Sequence, residues 1–166
     1  MDIASSLGLD RVPMNKETCL VGMGNTLLRD DGAGVYIAEG VNKGIASGGL
    51  RIQVVEDVLE AYAFKLAELD CANILIVDAI QTTGEPGSVA FGELAEFTEI
   101  LNDFSTHKLA LNMCEKIFNE HGKKTYLLGI NAGDVDFGEG MTRAVKETAD
   151  LLIETLVVLA NADKAD

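Results

Sequence analysis

Apolar residues along this chain fall into short unbroken runs, separated by stretches in which they recur every three or four positions. The first run, "TCLVGMG" (Thr18–Gly24), reads as a buried strand. From Asp31 onward Gly34, Ala38, Val41 and Ile45 share one helical stripe, which "KGIASGG" ends with glycines. "LRIQVVED" (Leu50–Asp57) reads as a second strand and "EAYAFKLAELD" (Glu60–Asp70) as a second helix. "ANILIVDAI" (Ala72–Ile80) gives the strongest strand signal, a β-branched and leucine run of the kind buried on both faces. Strands alternating with helices predict an α/β sandwich on a mostly parallel sheet.

The next strand breaks that rhythm. "GSVAFGEL" (Gly87–Leu94) follows Ile80 after only "QTTGEP". A parallel return needs a crossover of roughly a dozen residues, so this fourth strand is predicted to run antiparallel. "STHKLALNMCEKIFNEHG" then predicts a helix starting near Ser105–His107, capped by Ser105 or Thr106. Its apolar stripe is Leu109, Met113 and Ile117 with Leu111, Cys114 and Phe118. "KTYLLGI" is the fifth strand, and a last helix runs from about Met141 to Leu159 with Val145, Ala149, Leu152, Leu156 and Leu159 inward. Residues 1–17, polar and containing Pro13, read as an extension with little influence on the fold. Residues 18–160 form one domain and 161–166 a tail.

Composition narrows the function classes. The 166 residues and 48 % hydrophobic content suit one packed domain. Thirteen basic against twenty-seven acidic residues give a net charge of −14, which argues against a nucleic-acid partner, since that needs a basic face. Cys19, Cys71 and Cys114 are odd in number and widely spaced, with no CxxC pair, so buried reduced thiols are expected. The first residues lack the basic start and apolar core of a signal peptide, and no run is long enough to span a bilayer. A cytoplasmic location without membrane attachment is the expectation.

The chemistry concentrates where ligands bind in such sheets, beyond the carboxyl ends of the strands. Asp30 and Asp31 follow the first strand, Asp78 ends the third, and His107 opens the helix before the fifth. Asp30 suits the N-cap of its helix; two successive acids rarely both cap, which leaves Asp31 for another task. Singly, Asp78 reads equally well as a turn former and His107 as an exposed first-turn residue. Together, two carboxylates and one imidazole form a ligand set suited to a divalent ion such as nickel or zinc. "GMGNTL" is a poor dinucleotide loop, because Leu27 replaces the third glycine and the two acids would repel a pyrophosphate. His121, in "NEHGKK", reads as a solvated residue at a helix end.

At this point the sequence resembles the nickel–iron hydrogenase maturation endopeptidases. "VGMGNTLLRDDGAGVYIAEGV" is similar to their opening G-x-G-N-x-x-x-x-D-[DE]-G-x-G pattern. "ILIVDAI" is similar to their central strand, "STHKLAL" to the segment holding their histidine, and "LLGINAGDVDFGEGMT" to their late strand and loop. These blocks keep the family's order from Cys19 to about Leu159. The chain departs from the pattern after the second strand. "VEDVLEAY" replaces a glycine-rich or "APEN"-like segment, with only Glu60 alignable, which bears on substrate choice more than on chemistry.

The resemblance implies a three-layer α/β/α sandwich with a five-stranded mixed sheet whose fourth strand is antiparallel. It implies that Asp31, Asp78 and His107 are both metal ligands and catalytic residues. The nickel is expected to come with the substrate, and other divalent metals such as zinc or cadmium to fit the same site. The expected partner is the hydrogenase large-subunit precursor, from which a C-terminal extension is removed after nickel insertion. Two other classes remain open from the residues: a non-cleaving, nickel-checking binding module of the same fold, and a nucleotide-binding domain.

Overall fold

The computed structural model describes residues 2–56, 58–97 and 108–163. Five strands, β1 (Thr18–Met23), β2 (Arg51–Glu56), β3 (Asn73–Ile80), β4 (Val89–Glu93) and β5 (Lys124–Asn131), form one sheet. Their order is β2-β1-β3-β5-β4. β1 pairs parallel with β2 and β3, and β3 parallel with β5. β4 runs antiparallel to β5, with Val89 opposite Ile130 and Glu93 opposite Tyr126. The connection through residues 81–88 is too short to carry the chain back along the sheet, so reversal is the only pairing open to it.

Six helices flank the sheet among the described residues: α1 (Ile3–Leu7), α2 (Ala33–Gly44), α3 (Leu59–Ala67), α4 (Leu94–Phe97), α5 (Lys108–Glu120) and α6 (Arg143–Asp163). Strand alternation sorts the core into two clusters, one on each face. Leu75 and Val77 of β3 pack with Ile37, Ala38 and Val41 of α2 and with Val145, Ala149, Leu152 and Leu156 of α6. Ile74, Ile76 and Ile80 pack with Leu59, Ala63 and Leu66 of α3 and with Leu111, Cys114 and Phe118 of α5. Every residue of β3 is buried, as a strand covered on both faces requires. The result is the expected three-layer sandwich with a mixed sheet.

The three thiols are buried and free. Removal from water pushes the Cys19 thiol up to about 12 and the Cys114 thiol up to about 11.

Three sequence expectations change. The segment before β1 contributes to the core: Leu9 and Met14 are buried, and with Ala4 and Val12 they join the cluster over α2 and α6. The Glu17 carbonyl accepts the N–H groups of Ala72 and Asn73, which ties this segment to the start of β3. In α5, Leu111, Cys114 and Phe118 are buried and Ile117 packs against them as expected, but Met113 is 47 % exposed. α6 continues to Asp163, into the segment expected to be a tail.

Candidate active site

The "GMGNTLLRDDGAG" stretch folds as the end of β1, a turn, a short 3-10 helix (Arg29–Gly32) and the first turn of α2. Its glycines serve close packing. A Cβ on Gly34 would overlap the carbonyl oxygens of Met23 and Val77, so α2 can start directly against the ends of β1 and β3 only with glycine there. Gly24 has φ +135°, and a Cβ on it would overlap the Asp31 carbonyl oxygen. These contacts press the acidic turn onto the carboxyl edge of the sheet.

Asp31 is half-buried in that turn. Its Oδ2 accepts the Asn25 N–H at 2.8 Å, and its own N–H donates to the Leu28 carbonyl at 3.0 Å. The 3-10 helix also packs against β3, the strand that carries Asp78. Asp78 is fully buried and lies opposite Gly129 of β5. It does not end the strand, as the sequence suggested: β3 continues through Ala79 and Ile80. Its parity is that of Ile74, Ile76 and Ile80, so its carboxylate is on the α3/α5 side of the sheet.

Asp30 is not the helix cap that its position suggested. The N-cap of α2 is Gly32, with no side-chain cap bond. Asp30 is fully buried and accepts four hydrogen bonds from the loop after β5. Its Oδ2 takes the N–H of Gly133 at 2.8 Å, the N–H of Asp134 at 2.9 Å and the Thr142 hydroxyl at 2.9 Å. Its Oδ1 takes the Thr142 N–H at 2.7 Å. No sequence signal points to this role, because the donors lie more than a hundred positions away. Asn131, at the end of β5, braces the neighbouring loop in the same manner. Its Oδ1 accepts from the Thr82 N–H at 2.8 Å and the Thr82 hydroxyl at 3.0 Å, while its Nδ2 donates to the Gly84 carbonyl.

His107, with Ser105 and Thr106, lies outside the described residues. α5 begins at Lys108, directly after it. Among the described residues, no three His, Cys, Asp or Glu side chains gather as a metal site would need. His121 is exposed just beyond the end of α5, with Nδ1 2.8 Å from the Ile117 carbonyl oxygen, as expected of a helix-end residue. Glu60 lies exposed in the first turn of α3. No helix among the described residues is long and apolar enough to cross a membrane.

The fold is an α/β sandwich with Asp31 after β1 and Asp78 in β3, the two strands between which doubly wound sheets of this order hold their ligands. Comparison with known proteins makes this more specific. Residues 58–158, more than half of the chain, match the model of the hydrogenase maturation protease family HycI, and the chain belongs to that family. It is 28 % identical over 143 residues to the hydrogenase 3 maturation protease of Escherichia coli K12, covering 82 % of this chain and 86 % of that protein. The solution structure of the endopeptidase HycI from Escherichia coli superimposes with a TM-score of 0.71 at 26 % identity, over 85 % of this chain and 89 % of that one. The crystal structure of a [NiFe] hydrogenase maturation protease HycI from Thermococcus kodakarensis has the same fold, with a TM-score of 0.74 at 23 % identity over 89 % and 94 % of the two chains.

Proposed function

We propose that this protease removes the C-terminal extension of a nickel-loaded [NiFe]-hydrogenase large-subunit precursor, and that Asp31, Asp78 and His107 address the nickel carried by that precursor. The observation that supports the reading is the packing of the turn that holds the half-buried Asp31 against β3, the strand that carries the fully buried Asp78. His107 immediately precedes α5, a helix on the face to which Asp78 belongs. α5 ends near Lys124, where β5 opens at the amino edge of the sheet. Thirteen residues at about 1.5 Å each carry its first turn back toward the carboxyl edge.

Two carboxylates and an imidazole suit a borderline divalent ion and leave coordination positions for the precursor's own ligands. Requiring that ion makes cleavage conditional on a loaded metal centre. Hydrolysis adds water oxygen to the scissile carbonyl carbon, breaks the C–N bond and delivers a proton to the leaving amine. The precursor's nickel, held by Asp31, Asp78 and His107, would supply Lewis acidity, and a carboxylate not engaged by it would carry the proton.

The test is incubation of the protein with nickel-loaded and nickel-free precursor, followed by mass spectrometry of the precursor's C-terminal end. Shortening of the loaded precursor alone is the expected result. Binding without shortening would replace the protease reading by a nickel-checking module. Equal cleavage of both forms would remove metal recognition from the mechanism.

A further inference from the structure

We propose that Asp30 is a positioning residue for peptide-bond cleavage: it gathers Gly133, Asp134 and Thr142 onto one buried carboxylate and so fixes where its neighbour Asp31 stands. This inference rests on the endopeptidase reading above.

The Asp30 carboxylate sits at 0 % exposure, and all four hydrogen bonds to it come from neutral donors in residues 133–142. Bonds to an ionised acceptor are roughly twice as strong as neutral ones, so this is the firmest point of contact between the two segments. The backbone repeats the connection on either side. The Asp30 N–H donates to the Asp134 carbonyl at 3.0 Å, the Arg29 N–H to the Gly138 carbonyl at 3.1 Å, and the Gly138 N–H to the Leu27 carbonyl at 2.8 Å. The turn from Leu27 to Asp30 is therefore stitched along its length to the loop after β5.

Asp31 is the next residue in the chain. On its other side it is held through the Asn25 N–H, and beneath by Gly24, which has no room for a side chain. The Asp31 carboxylate is thus held within the turn by Asn25, and the turn itself is fixed to the loop after β5 by Asp30. Gly133 belongs to the same joint: a Cβ there would lie 3.1 Å from Pro86 and 3.4 Å from Asp30 Oδ2, so the loop preceding β4 is packed against the clasp as well. A displacement of about 1 Å in a reacting group can lower turnover on the order of 100-fold, and this clasp sets that displacement.

The experiment uses the full chain with Asp30→Asn, which keeps the size and one acceptor oxygen but turns an amide NH₂ toward N–H donors. Leu156→Ala, a core change in α6 remote from the edge, controls for lost stability. Steady-state cleavage of nickel-loaded precursor is measured where circular dichroism shows each variant folded, and amide hydrogen exchange is followed by NMR. In Asp30→Asn the Gly133, Asp134 and Thr142 amides should exchange faster, and kcat should fall on the order of 100-fold with KM little changed. Leu156→Ala should keep the wild-type kcat. Wild-type kcat in Asp30→Asn, or an equal fall in Leu156→Ala, overturns the proposal. Absence of cleavage by the wild-type protein overturns the endopeptidase reading itself and is read separately. Should Asp30→Asn not fold, Thr142→Val, which removes only one hydroxyl, carries the test: a smaller fall in kcat with faster exchange at Gly133 and Asp134 is expected, and unchanged kcat overturns the proposal.

Discussion

Asn25 and Asp31 face each other across the acidic turn, and a single hydrogen bond of 2.8 Å joins the Asn25 N–H to the Asp31 carboxylate. An amide oxygen could still accept that bond, though more weakly. The neighbouring Asp30 accepts four, all inside the protein. The two acids of "DDG" therefore differ in what their loss costs.

Asp31→Asn should leave stability within about 0.5 kcal/mol of wild type, because its one internal partner is kept. Asp30→Ala should lose about 3 kcal/mol or more, since several donors to a charged acceptor are left unsatisfied at ~1–3 kcal/mol each. Urea denaturation of both variants checks the difference. Precursor processing should be abolished in Asp31→Asn although the protein is fully folded.

The two histidines should separate equally well. His107→Ala should lose cleavage of nickel-loaded precursor, while His121→Ala, altered at an exposed helix end, should keep it. Mass spectrometry of the processed precursor reads both. Full processing by the His107 variant would take the imidazole out of the mechanism.

Gly24 and Gly48 both have positive φ, +135° and +83°, but only Gly24 is also hemmed in by backbone. Gly48→Ala should cost about 1 kcal/mol for the strained conformation alone. Gly24→Ala must also displace the Asp31 carbonyl, and should destabilise by more than that while lowering processing. Thermal unfolding and a processing assay on the pair test whether this glycine serves packing at the site.

Leu9→Ala should destabilise by about 2–5 kcal/mol, as a buried core leucine does and a residue of a loose extension would not. An unchanged urea midpoint would return residues 1–17 to the status of an appendage.

Much of the sheet was legible because its signals are local. The run from Ile74 to Val77 marks a strand covered on both faces, and the short path from Ile80 to Val89 forbids a parallel return. The N-terminal segment was not legible, because Leu9, Val12 and Met14 follow no single period and are buried by their partners in α2 and α6. Asp30 was misread for a related reason. An acid before a helix looks like a cap when only neighbours in sequence are considered, whereas its partners are 103 to 112 positions away. Asp78 stood out in the sequence as a strand-end acid, but its strand runs on beyond it, because Ala79 and Ile80 still pair with Ile130 and Asn131.

That placement inside β3 has a consequence for assembly of the sheet. A slip of one residue against β1 and β5 would turn Asp78 from the α3/α5 side into the apolar cluster beneath α2 and α6. A slip of two would restore the side but carry the acid about 6.6 Å along the strand, away from its place opposite Gly129. In the first case the carboxylate changes face, and in the second its place opposite Gly129 is lost. The acid assigned to the proposed site thus also marks the register of the central strand, so that a misaligned chain would lose the site before any substrate arrives.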